Sequence, residues 1–348
     1  MALRGLLGAA LVLALAAALH ALLWRWMGSQ LEDGFAAWAA TRRAQGWRVE
    51  HGPPERGGWP FAATLALPRF ALAGGGATLP GGMEWQAERL VLRLSPPRLD
   101  RLAVEMPGRH RLRLGALDLP FAADRLVATL PIERDVLPGE AALEAERLRL
   151  GTAAGAVEIR TADLGVETRI TATEGEPAVS LRATAEEIAL PPGLEAALPV
   201  LATLGRSLHS AALDLALTGP VPPGRAPARK AEAWREGGGT LELRGLDLRW
   251  GRAAASLAAT LTLDEALQPM GAGTLRLVGG AELLEAVAAA GQLPQRSLAV
   301  ARTVLRLLSR TPPEGGPPTL EVPLTLEEQA LTLARIPVLR LPTWTWPQ

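Results

Sequence analysis

At 348 residues the chain is long enough for one large domain or two modest ones with a real hydrophobic core. Lys+Arg and Asp+Glu number 36 each, so the net charge is zero, which argues against a nucleic-acid-binding surface with its basic excess. Cysteine and asparagine are absent, which removes disulfides, thiolate zinc sites, cysteine nucleophiles and N-glycosylation acceptors together. Lys230 is the only lysine among many arginines, a bias that reads as a GC-rich genome rather than as function.

Gly5 to Trp24 forms an apolar run interrupted only by His20. Its length matches the roughly 20 residues that cross about 30 Å of hydrocarbon. Trp24 and Trp26 fall where an aromatic belt would lie, with Arg25 free to snorkel. The rival reading is a cleaved signal peptide. The run is longer than a usual signal core, and the small-residue pattern at Ala18 to Ala21 is followed by more apolar residues, so the spacing favours a retained anchor over residues 1–28. Flanking charges are nearly balanced, and the orientation rests on the short N-terminal tail, which favours an exported bulk.

Gln30 to Trp47 has helical periodicity, with Phe35, Trp38 and Ala39 on one face and Gly46 at the end. Residues 29–47 therefore read as a juxtamembrane stalk helix, with a lipid-surface helix as the alternative. From residue 48 onward the texture is short alternating strands broken by Gly and Pro. Candidates are Thr64–Leu72, Glu88–Leu94, His110–Leu114, Arg125–Leu130, Leu143–Leu150, Val157–Arg160, Val166–Thr171, Val179–Leu190 and Leu208–Leu217. Thr240–Leu263 predicts a hairpin that shifts phase at Gly245, as a β-bulge does, and turns at Gly251–Arg252. Thr274–Val278, Leu320–Leu324 and Ala330–Ala334 follow as strands. Helices are expected at Leu194–Leu204, Ala226–Glu236, Ala281–Ala290 and Gln295–Arg310, with a linker at Thr311–Pro318. The fold class is mainly β (α+β): a transmembrane and a stalk helix, then a large curved antiparallel sheet or half-barrel with a few packed helices over residues 48–348. A sub-boundary is expected near 219–237.

Chemistry-bearing patterns are sparse. Gly74–Gly76 and Gly81–Gly82 lack the GK[ST] ending of a phosphate loop and read as a hairpin loop. The four histidines have no metal-ligand spacing, and Glu186–Glu187 and Glu327–Glu328 point apart on strands, as solvated positions do. No catalytic, cofactor or metal set emerges, and the chain reads as a non-enzyme without cofactor. Arg109, Arg111 and Arg113 line one strand face; such a row suits lipid phosphates or acidic sugars, although the polar side of a half-exposed strand is the commoner reason for it. Trp344 and Trp346, beside Pro342 and Pro347, suit a partner or membrane contact, or a cap over an open sheet edge.

The segments GFAAW…RRAQGWRVE and GWPFAATLALPRFAL resemble the start of the DUF2125 family, an uncharacterised bacterial family. GGTLELRGLDLRWG…LTLDEALQPMGAGTLRLVG and EVPLTLEEQALTLARIPVLRLP resemble its C-terminal pattern. The resemblance implies a membrane-anchored envelope protein, single-pass in the bacterial inner membrane with its bulk in the periplasm, and it supplies no catalytic residues. The strand-rich layout also looks like a distant relative of AsmA-type envelope proteins. Two functions follow as expectations. One is lipid handling in a curved apolar groove, with inner-membrane lipid and a lipid ligand as partners. The other is a non-enzymatic scaffold or assembly factor that binds an envelope protein. No nucleic-acid partner is expected.

Overall fold

The computed structural model describes residues 2–75, 82–132, 139–169, 171–195, 201–222, 226–280, 309–310, 318–334 and 336–346, together with 284, 288 and 302. The protein is mainly β and antiparallel, with one long N-terminal helix. It divides into two compact units, 1–138 with 143–151, and 139–142 with 152–348.

The first unit opens with α1 (Ala2–Ala44), a single unbroken helix. Its N-terminal part is apolar and bare, and is long enough to cross a membrane. Its C-terminal half carries Met27, Leu31, Phe35 and Ala39 at four-residue spacing. Met27, Leu31 and Ala39 are buried, and the stripe lies against the sheet. The expected stalk is thus a packed helix continuous with the apolar segment. Trp38 does not join that buried stripe: it is exposed, stacks on Phe35 at 5.8 Å and lies under the Arg42 guanidinium.

The strands of this unit are β1 (Arg48–Glu50), β2 (Glu55–Gly57), β3 (Ala63–Gly74), β4 (Met83–Ser95), β5 (Arg98–Glu105), β6 (Arg109–Leu114), β7 (Leu117–Ala122), β8 (Arg125–Pro131) and most of β9 (Glu140–Thr152). β3 is the centre. It pairs with β1, β2 and β4, and α1 packs on it. Ala63, Leu65 and Leu67 on one face and Ala66 and Phe70 on the other are all buried. A continuous apolar run such as ATLAL suits a strand covered on both sides. β4 divides its pairing between β5 and β6.

His110 on β6 is buried between the rings of Trp85 and Phe121, at 6.2 and 4.9 Å, and its Nε2 meets the Met106 carbonyl at 3.0 Å. Desolvation pushes its pKa below the usual 6.5, against the opposing pull of that carbonyl and of Glu88. The folded state therefore binds fewer protons than the unfolded chain once the pH drops through about 6.5. Stability from this site is full above that value and falls as the pH approaches the folded value. The thermal midpoint of the wild-type chain should drop more between neutral and mildly acid pH than that of His110→Phe, which keeps the stack. Equal pH slopes for the two chains would count against the burial account.

The second unit holds β10 (Gly155–Thr168), β11 (Pro177–Ala189), the short helical turn α2 (Leu201–Leu204), β12 (Ser207–Thr218), α3 (Pro227–Glu236), β13 (Leu241–Trp250), β14 (Ala253–Leu263), β15 (Pro269–Val278), β16 (Ser309–Arg310), β17 (Thr319–Glu327), β18 (Ala330–Leu333) and β19 (Ile336–Arg340). Pairing runs β10–β11–β12–β13–β14–β15–β17–β18–β19, antiparallel throughout. The expected phase shift is present: Leu243 faces Ala259 and Leu246 faces Leu257, so Arg244 and Gly245 together oppose Ala258. Val157–Arg160 and Val166–Thr171, expected as separate strands, belong to the single long strand β10 as far as Thr168. Of the expected helix at 194–204, the described residues show a turn at Pro192–Leu194 and the helical α2, and 196–200 lie outside them. The helix pair at 281–290 and 295–310 and the linker at 311–318 also lie almost wholly outside them, as does the glycine loop at 76–81. Ser309 and Arg310, however, pair with β17 as a short strand and do not end a helix.

Candidate functional site, an apolar groove beneath helix α3

Strand register sorts the second unit into two unlike faces. Leu164, Ala183, Leu213, Leu246, Leu257, Leu275 and Val322 stand abreast on seven neighbouring strands. The next row on the same face is Val166, Leu181, Leu215, Leu243, Ala259, Gly273 and Leu324. On the opposite face Asp163, Thr184, Ala212, Asp247, Ser256, Arg276 and Glu321 align. The bulge at Gly245 is what keeps β13 in this pattern. Without it, every leucine after Leu243 would turn to the polar side.

The apolar face is incompletely covered. Val322 is buried, but Leu213, Leu215, Leu243, Leu246, Leu257 and Leu275 are only half-buried. A sheet core of this breadth would normally bury such leucines against a second layer. With strands about 4.8 Å apart, seven of them present an apolar surface roughly 29 Å across.

At one end of this face α3 closes over the sheet and leaves a groove of about 410 Å³. Leu217, Leu241, Leu261, Leu263 and Pro269 form its floor from β12 to β15. Ala231 and Trp234 of α3 form one wall, with Val221, Pro222 and Pro227 before them, and Trp346 contributes from the C-terminal segment. Lys230 lies in the lining and forms no ion pair among the described residues. The lining is thus almost wholly apolar, with Lys230 its single charged residue.

Local chemistry explains why α3 sits there. Pro227 starts it at the first helical turn, where a missing N–H costs nothing. The indole Nε1 of Trp234 donates to the Thr218 carbonyl at 2.8 Å. Gly239 lies directly against the Trp234 ring: a Cβ there would come within 2.3 Å of it. Gly239→Ala should therefore displace the Trp234 wall and cost about 1–3 kcal/mol, read as a lower thermal midpoint together with faster proteolysis of α3. An unchanged midpoint would show that the ring yields easily.

The Trp346 wall is fastened by a buried glutamine. Gln268 accepts from the Trp344 backbone N–H at 2.8 Å and donates to the Trp344 carbonyl at 3.1 Å. Trp346 Nε1 donates to the Leu267 carbonyl at 3.0 Å. Of the two expected contact tryptophans, Trp346 is therefore part of the groove, while Trp344 remains 58% exposed beside it.

The arginine row has a different environment. Arg109, Arg111 and Arg113 do share the exposed face of β6. Arg111 forks onto Asp118, with Nε at 2.8 Å, and holds that carboxyl below the usual carboxylate range. Arg113 pairs with Glu84 at 3.2 Å, and the Arg109 backbone N–H donates to Glu88. Two of the three guanidiniums already have carboxylate partners, as on a solvated strand face. Glu186 and Glu187 are both exposed, and Glu187 meets Arg160 at 3.5 Å. Among the described residues no three His, Asp or Glu side chains converge to hold a metal ion.

The family model for DUF2125, an uncharacterized protein conserved in bacteria, matches residues 24–342. The chain belongs to the DUF2125 family. In this DUF2125 protein the match opens at Trp24, within α1, and closes just before Trp344. The groove floor and α3 lie inside it. No curated protein matches the chain.

Reading the sequence does not reveal the groove. Its lining is drawn from residues 217 to 346, and all but Lys230 and Thr262 are ordinary apolar residues. Two local signals do point toward it: the solitary Lys230, and Gly237–Gly239 three residues past Trp234, which lets a large ring approach the backbone.

Proposed function

We propose that this DUF2125 protein is a single-pass protein of the bacterial inner membrane, held by α1, whose second unit binds a lipid along the leucine face and under α3. The observation that supports this reading is the seven-strand apolar face with its half-buried leucines, continuous with a groove of about 410 Å³. Acyl chains match such a surface because they bury methylene groups at roughly 0.8 kcal/mol each and ask for no hydrogen bonds. Lys230, the one charged residue of the lining, would meet an anionic headgroup. The bulk of the chain lies on the periplasmic side in this reading.

Native mass spectrometry of the detergent-purified full chain, followed by lipid extraction, tests it. A defined lipid adduct that survives removal of the detergent is the expected result. A chain that flies free of lipid at every collision energy overturns the reading. A scaffold role is the second reading, favoured by Leu339 and Trp344, which are 54% and 58% exposed near the C-terminal strand. It predicts instead a stable protein partner that is lost when residues 343–348 are removed.

A further inference from the structure

The turn between β2 and β3 carries the most exposed aromatic side chain in the described protein. Phe61 is 85% exposed, more than the leucines of the apolar helix itself, which reach 70%. Trp59 beside it is 53% exposed. No charged residue lies between Gly57 and Leu67. In a turn facing only water, this is an unfavourable choice of residues.

The turn is held at one particular level of α1. His20 Nε2 lies 2.7 Å from the Pro60 carbonyl, and Trp24 Nε1 donates to the Ala62 carbonyl at 2.9 Å. The Trp59 indole stands edge-on to both rings, 5.0 Å from His20 and 5.7 Å from Trp24. Before His20 the helix is bare: Leu6, Leu13 and Leu19 are 68, 70 and 70% exposed. At about 1.5 Å per residue, the apolar run Gly5 to Trp24 rises roughly 30 Å, and His20 and Trp24 stand in its last turns. That is close to the roughly 30 Å of a hydrocarbon core. The turn is thus fastened where the hydrocarbon would end. At the same level α1 shows Trp26, 52% exposed, and an exposed Arg25. Aromatic rings with an arginine nearby are the composition of a membrane–water boundary.

We propose that the Gly58–Phe61 turn is a second membrane contact, which seats Trp59 and Phe61 in the headgroup–acyl boundary of the bilayer that α1 crosses. The proposal rests on the reading of α1 as a membrane span. It adds that the first unit docks flat on the lipid surface and does not swing on a tether. Because the two hydrogen bonds accept at the backbone of Pro60 and Ala62, the turn keeps its place whatever side chain occupies position 61.

The protein has no cysteine, so one introduced thiol can carry a single environment-sensitive fluorophore. The full chain is labelled at Leu13→Cys, Phe61→Cys or Arg48→Cys and placed in phosphatidylethanolamine–phosphatidylglycerol vesicles. The vesicles carry nitroxide quenchers either high or low on the acyl chain. The label at position 13 is expected to respond most to the deep quencher. The label at position 61 should lose roughly half its emission to the shallow one. The label at position 48 should stay bright: Ala44, just before it, is roughly 36 Å along the helix from His20. If position 13 is quenched while position 61 is as bright as position 48, the turn does not dock and the proposal fails alone. If position 13 is also unquenched, the span itself is wrong and both readings fall.

Discussion

Leu257→Glu is expected to abolish lipid retention, while Ala258→Glu leaves it intact. The two positions are neighbours in β14, but they face opposite sides of the sheet. Leu257 stands in the middle of the apolar face, with Leu246 across on β13 and Leu275 across on β15. Ala258 is exposed on the polar face, opposite the Arg244–Gly245 bulge. A lipid chain lying across position 257 would cover a carboxylate with no partner. Burying an unpaired polar group costs roughly 2–7 kcal/mol. Even the low end exceeds a tenfold loss in affinity, since about 1.4 kcal/mol is one decade. Leu257 is only half-buried, so the free protein should tolerate the change better than a core position would. Lipid extraction from the purified chains reads the result, and equal lipid content in both variants sinks the assignment of the leucine face.

Leu67→Ala is expected to be the most destabilising single truncation in the first unit. Leu67 has no exposed surface, and Leu90, its partner on β4, is also buried. β3 is covered on both faces, so the surrounding strands have little room to collapse into the space left. Loss of about 2–5 kcal/mol follows for a leucine truncated in such a site. Leu117→Ala is the matched control, because Leu117 is 55% exposed and surface truncations usually stay within about 0.5 kcal/mol. Denaturant unfolding of the full chain in detergent measures the difference. Similar midpoints for the two variants would contradict the placement of the core on β3.

Much of the architecture is legible in the sequence because period-two leucine patterns and the Gly245 shift are local events. The hairpin at Leu241–Leu263 needs only alternation and a turn glycine to be recognised. Several of the strands that escape notice are of another kind. β1 and β2 have three residues each, too few for a period to show. β7 reads LDLPFA and includes a proline, which normally demotes a strand. Long-range pairings are equally silent: nothing near residue 20 announces that His20 will meet the backbone of Pro60. The arginine row is legible as a row, but its partners Asp118 and Glu84 come from neighbouring strands, and so its neutralisation is not. The groove is the extreme case, since its lining is distributed over more than a hundred residues and carries no chemical signature.

Lipid on the leucine face is the central claim, and lipid that merely surrounds α1 could imitate it in a bulk assay. Photo-crosslinking with a diazirine-bearing fatty acyl phospholipid separates the two, because the adducts can be mapped by peptide mass spectrometry. The account predicts adducts on the β13 and β14 peptides carrying Leu241, Leu257 and Leu261, and on α3 around Trp234, in addition to those on residues 2–19. Adducts confined to the apolar helix and the Trp59–Phe61 turn would contradict it.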